Sequence, residues 1–329
     1  MFRVVLPALI ALIALTGAAQ AASKAKLVEL RVEGDGTTLE EGAWYATGSQ
    51  PVKRGRTPSC EARNGSDRFT GATALTVLAG AADFNRDLRP VRTRPTDFGP
   101  QVCQVGGLRS FGTFPDPNAG FLYWVNYVSG FSSPDLADVD NGDSALWYYA
   151  VFPSDPPQPD DPPTANTGLP LELEGVPAHD ADGEFTARVV VHDFDGTPTP
   201  VTDATIMGAD AASHAAGGEY EIRVGAGTTE LFAARGADIR SNRLEVCVDQ
   251  ASDCPKAHGR TIVGSKRGDE LKGTRGFDDI SAGGGGDEID LRKGGRDRAD
   301  CGAGKDLVLL KRGDGDDRVG GDCERIRRS

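Results

Sequence analysis

The sequence predicts a mainly β, multidomain protein, and three observations carry that expectation. Short runs alternating apolar and polar residues recur between Gly, Asp and Pro turns, the two-residue period of half-buried strands. A helical period is read at one place, residues 70–84. Near residue 260 the pattern changes to a phrase of glycines, an aspartate and an aliphatic residue two places later, recurring about every nine residues.

In chain order, Arg3, the apolar run "VVLPALIALIAL" and the box Ala19-Gln20-Ala21 predict a Sec-type signal peptide over residues 1–21. The run is too short to span a bilayer, and no lipid or hydrophobic anchor is expected, so the chain is expected to be secreted with no membrane span. An oxidising compartment favours disulfides. Among the connectivities open to six cysteines, nearest neighbours are the favoured pairs: Cys60 with Cys103, Cys247 with Cys254, and Cys301 with Cys323.

Residues 22–152 read as a small α+β unit. "KLVELRVEG" alternates as a strand. "TGATALTVLAGAADF" sets Leu75 and Leu78 on one helical face, with Thr70 available as cap. "GFLYWVNYVSG" and "GDSALWYYAVF" read as aromatic strands, the second entered through Asp140-Asn141-Gly142. All three tryptophans lie in this unit. A core role is favoured for them over a sugar-stacking platform, because aromatics suit half-buried strands. Tyr123 and Tyr127 fall on one face and Trp124 on the other. "PSDPPQPDDPPTANTG" (153–168) reads as an extended, semi-rigid linker. Residues 169–257 alternate short strands with turns, as in a β-sandwich. "DADG" and "DFDG" there lack the further ligands of a calcium loop and read as tight turns.

Two of these segments resemble known families. "GFLYWVNYVSGFSSPDLADVDNGDSALWYY", with "VELRVEG" and "ATALTVLAGA" before it, resembles the domain shared by bacterial secreted proteins and the C-terminal domain of transcobalamin and intrinsic factor. That implies a β-grasp-like fold for 22–152, with a long insertion around 84–118. Cobalamin binding is not implied, since the helical domain that holds the vitamin in those proteins has no counterpart here. "GTPTPVTDATI" and "GGEYEIRVGAGTTELFA" resemble the carboxypeptidase regulatory-like, immunoglobulin-type modules that serve as spacers.

Residues 258–329 carry the repeat. Read as GGxGxDxUx, it places Asp269, Asp278, Asp287, Asp297, Asp306 and Asp317 at the sixth position, with spacings of 9, 9, 10, 9 and 11. Leu271, Ile280, Ile289, Ala299, Val308 and Val319 follow in the aliphatic slot. This resembles the haemolysin-type, or repeats-in-toxin, calcium-binding nonapeptide. The resemblance implies a C-terminal parallel β-roll in which each nonapeptide makes half a coil and repeats two apart stack. It also implies that the six aspartates, with backbone carbonyls, give calcium its oxygen ligands. Calcium would lie between Asp269 and Asp287, Asp278 and Asp297, and Asp287 and Asp306. In that register Cys301 and Cys323 meet in stacked turns. Against a heavily loaded roll stand its 16 Lys/Arg for 15 Asp/Glu over 260–329, Arg267 in a glycine slot, and Ala299 in the core slot. One to three calcium sites, or none, are consistent with this.

Charge narrows the partners. Residues 130–255 carry 5 Lys/Arg against 23 Asp/Glu, and no sustained basic patch points to nucleic acid. His179, His192, His214 and His258 read as lying in turns and linkers without zinc spacing, and neither a nucleophile elbow nor a phosphate loop is present. The expectation is a non-enzymatic, extracellular binding or adhesion protein stabilised by calcium, its ligand an unidentified cell-surface protein or glycan. The alternatives are a small-ligand (cobalamin-like) binder through the first domain, or a toxin or enzyme accessory with a calcium-folded tail.

Overall fold

The computed structural model describes residues 25–57, 59–113, 116–130, 132–162, 164–248, 254–313 and 315–329. The expected signal peptide lies outside the described residues. Strands dominate, in six sheets with one α-helix among the described residues. There, no helix is long and apolar enough to cross a membrane. The three disulfides are those expected, Cys60–Cys103, Cys247–Cys254 and Cys301–Cys323.

The first sheet is built on β1 (Lys26–Glu33). Its alternation sends Val28, Leu30 and Val32 into one core and leaves Leu27, Glu29, Arg31 and Glu33 for the opposite face. β1 pairs antiparallel with β2 (Thr38–Thr47) and parallel with Ser144–Phe152, which pairs antiparallel with Asn118–Val125. The helix α1 (Ala74–Ala81) covers the apolar face. Its cap is Thr73, not Thr70: Thr73 Oγ1 accepts from Thr76 N at 3.3 Å, and Thr76 Oγ1 accepts from Thr73 N at 2.8 Å. Gly71, at φ +90°, breaks the chain out of helical geometry before that point. Trp147 Nε1 donates to the Ala74 carbonyl at 3.1 Å and pins the helix start to the sheet.

The aromatic run 120–130 is two strands rather than one. Asn118–Val125 turns through Asn126 and Tyr127, at φ 50° and 60°, into Val128–Ser129. Positive φ at both central residues is the tight hairpin geometry that matches strand twist. Tyr123 packs on Trp147 at 5.0 Å and Trp124 is buried on the opposite face, as alternation requires. Tyr127 does not share the Tyr123 face. Its ring stacks on His192 of the middle unit, centroids 4.1 Å apart. A second, five-stranded sheet between Gln50 and Arg109 absorbs most of the insertion, and Cys60–Cys103 ties it.

In the middle unit, two sheets enclose one core that includes Leu171, Val189, Ile222, Leu231 and Val246. The two Asp-Gly turns close on themselves. Asp180 Oδ1 accepts from Asp182 N and Gly183 N, and Asp193 Oδ1 from Asp195 N and Thr197 N. The proline-rich segment before this unit does not run free as a spacer. Asp161 ties back to Ser154 and Gln158, Ala165 bridges to Val151, and Asn166 bonds the carbonyls of Gly34 and Tyr149.

The C-terminal residues form a stack of short parallel strands that begins on β2. Thr261–Val263 pairs with it, Trp44 opposite Ile262 and Tyr45 opposite Val263. Asp279–Ser281, Arg298–Asp300 and Arg318–Val319 continue that sheet, which therefore runs through nine strands from the stack into the first unit. The alternate strands Glu270–Lys272, Glu288–Asp290, Leu307–Leu310 and Arg325–Arg328 make a second parallel sheet. Ile262, Leu271, Ile280, Ile289, Ala299 and Val308 are buried between the two, with Leu27 and Trp44 closing the near end.

Candidate metal-binding coil

Each half-coil is a tight turn, the acidic residue, and a strand whose central aliphatic side chain points inward. Glycine is a steric requirement in these turns because consecutive turn backbones lie directly on one another. A Cβ placed on Gly304 would stand 1.4 Å from the Gly285 carbonyl oxygen, and Gly285 itself holds φ +122°.

The six predicted aspartates divide into two columns, one on each side of the coil. In the first, Asp269 N donates to Asp287 Oδ1 at 2.8 Å and Asp287 N to Asp306 Oδ1 at 2.8 Å; Asp306 N donates to Glu324 Oε2 at 2.9 Å. In the second, Arg260 N donates to Asp278 Oδ1 at 2.8 Å, Asp278 N to Asp297 Oδ1 at 3.0 Å, and Asp297 N to Asp317 Oδ1 at 3.2 Å. Five of the six are buried and Asp317 is half-buried. Every carboxylate of the two columns except Asp269 thus carries the backbone N–H of the coil below, a charge-assisted ladder; Asp269 Oδ2 accepts from Ser265 N of its own turn at 2.6 Å.

The first column and Asp278 differ in what their remaining oxygens do. Asp269 Oδ1, Asp287 Oδ2 and Asp306 Oδ2 are buried with no hydrogen-bond partner. Leaving such an acceptor dry is costly. Burial raises the Asp269 carboxyl, and burial assisted by the charges of Asp269 and Asp306 pushes Asp287 up to about 6. Asp278 is closed instead: Thr274 N donates to its Oδ2 at 2.5 Å and Thr274 Oγ1 to its Oδ1 at 3.0 Å, beside the Arg260 amide. Among the described residues no three acidic, histidine or cysteine side chains converge on one point. Successive carboxylates are displaced along the coil by one strand spacing, about 4.8 Å. A cation here would bridge two carboxylates and complete its shell from elsewhere.

Two members of the pattern escape a search for aspartate alone. Glu324 stands 18 residues after Asp306 and is followed two places on by Ile326. Arg260 fills the acidic slot of the first half-coil, with Ile262 in its aliphatic slot, and its guanidinium lies 3.8 Å from the Trp44 ring centroid. The first rung of the second column is therefore cationic. Cys301–Cys323 joins the same turn in adjacent coils at a Cα separation of 5.3 Å.

His258 lies outside the strands, as expected, but the other three histidines do not sit as the sequence suggests. His179 and His214 are on strands, and His192 ends one, 6 % exposed, with Nε2 2.8 Å from Glu172 Oε2 and Nδ1 3.1 Å from the Gly196 carbonyl. Strand alternation turns it inward at the seam between the middle and first units. No family model, no curated protein and no solved structure matches this chain.

Proposed function

We propose that the chain is a secreted, non-enzymatic, modular protein of extracellular binding or adhesion whose C-terminal residues form a calcium-binding β-roll of the haemolysin type. In this reading residues 22–152 are a transcobalamin-like β-grasp domain, 169–257 an immunoglobulin-like spacer, and 258–329 the roll. One observation carries the calcium assignment: Asp269, Asp287 and Asp306 form a buried, single-file column with an unpartnered oxygen on each. That is an all-oxygen donor set short of positive charge, which suits a hard cation. Calcium would supply that charge. The residues orient the donors through the N–H ladder, exclude water, and hold the turns close through glycine. Asp278, saturated by Thr274 and Arg260, serves as a structural cap rather than a ligand. The three disulfides suit an oxidising compartment, and the burial of Trp147 in the first unit's core and of Trp124 against Ile239 of the middle unit supports a packing role for these aromatics.

The test is calcium titration of the chain from Ala22 onward, followed by calorimetry and thermal melting with calcium and with chelator. Calcium should raise the melting temperature, and Asp287→Asn should remove most of that rise while Asp278→Asn leaves a calcium response. Coincident melting curves with and without calcium would sink the assignment.

A further inference from the structure

Between β1 and the middle unit lies a cavity of about 240 Å3, lined by Glu29, Arg31, Glu41, Tyr127, Glu172 and Asn242 among others. It exists because the outward face of β1 is charged and the middle unit closes over it. Most of that charge is accounted for. Glu33, 1 % exposed, accepts from Arg240 Nη2 at 2.6 Å and from Thr38 Oγ1 at 3.0 Å. Glu172 holds His192 Nε2 at 2.8 Å.

Arg31 is different. Its side chain is 8 % exposed, yet Nε and Nη2 have no hydrogen-bond partner, and the nearest carboxylate oxygen, Glu33 Oε1, stands 3.9 Å from Nε. That is beyond bonding reach. Nε–H and Nη2–H point the same way along one edge of the guanidinium. This edge is the fork that takes both oxygens of a carboxylate side-on. A buried guanidinium with that edge bare is costly unless something occupies it.

The rest of the lining says what that occupant carries. Glu29 and Glu172 bring two carboxylates to the same cavity, and Tyr127 closes one side with its ring against His192. A bare anion would meet those carboxylates, and a bare cation would meet Arg31. The volume holds about eight waters, or one molecule of amino-acid size. We propose that this seam cavity binds a small amino-acid zwitterion, its carboxylate on the Nε/Nη2 edge of Arg31 and its ammonium toward Glu29 and Glu172. Burial raises the Glu29 carboxyl, so an arriving ammonium restores the charge that burial disfavours.

The experiment is isothermal titration of the full chain from Ala22 onward with the common L-amino acids at millimolar concentration. Acetate, methylammonium, an N-acetyl amino acid and an amino-acid methyl ester are the controls. At least one free amino acid should bind, and its N-acetyl and ester forms, each lacking one charge, should bind at least roughly tenfold more weakly. Arg31→Gln should abolish the heat, Arg31→Lys should not restore it, and Glu172→Gln should weaken binding with the melting curve retained. The ligand-side controls need no variant, so a misfolded Arg31→Gln leaves the test intact. The proposal fails if no amino acid binds, if acetate or the N-acetyl form binds as well as the free amino acid, or if a folded Arg31→Gln binds undiminished.

Discussion

Trp44 of the first unit stands opposite Ile262 in parallel register, so an N-terminal strand serves as the first rung of the C-terminal stack. The indole fills the position that Ile280 and Ala299 fill in later coils, and Arg260 stacks on it. Trp44→Ala removes a buried aromatic of this kind, a cost of about 3–5 kcal/mol. The amides of Thr261–Val263 should lose hydrogen-exchange protection before those of Asp279–Ser281. Uniform loss of protection along the stack would contradict this role.

The column acids set a pH signature. The Asp287 pKa is raised from 3.8 to about 6 by burial. A carboxyl raised on folding contributes stability that is complete below its unfolded pKa and lost as pH rises through the folded value. In chelator, the melting temperature should fall between about pH 4 and about pH 6 by more in the native sequence than in Asp287→Asn. Calcium should reverse the order of the two at neutral pH. Parallel pH–melting curves in chelator would refute the assignment of the shift to this residue.

Glycine in the turns should be intolerant where backbones stack and tolerant elsewhere. Gly304→Ala puts a methyl 1.4 Å from the Gly285 carbonyl oxygen, whereas a Cβ on Gly321 meets nothing within 4 Å. Chemical denaturation should show a loss of several kcal/mol for the first and a change within about 0.5 kcal/mol for the second.

Cys301–Cys323 closes a loop of 22 residues, for which chain entropy gives about 3 kcal/mol. Replacing both with serine should lower stability by that order in chelator. The rise in melting temperature on adding calcium should be larger in the serine variant than in the native chain, since one restraint then does the work of two. Equal calcium responses would show that metal and disulfide restrain different parts of the coil.

The local rules were readable from residues alone: the alternation of β1, the register of the six acids, and the nearest-neighbour disulfides. What escaped was set by three-dimensional context. Thr73 rather than Thr70 caps α1 because Gly71 intervenes, and the Asn126-Tyr127 turn lacks the glycine that usually marks such a hairpin. Glu324 completes a column because its carboxylate reaches the same N–H as an aspartate would. No local pattern shows that β2 has a free edge for Ile262, or that Arg31 lies buried beneath the middle unit, because both depend on segments distant in the chain.

Each disulfide closes within one region of the chain: Cys60 to Cys103, Cys247 to Cys254, Cys301 to Cys323. None crosses the join at Trp44 and Ile262. A single protease cut between Phe152 and Leu171 would therefore leave two fragments without a covalent tie. They would separate on a denaturing gel even without reductant, yet migrate together in native solution while the shared sheet holds. Neighbours in this molecule are thus not neighbours along its chain: the C-terminal stack is mounted on the N-terminal sheet, and the middle unit is carried as a side branch on both.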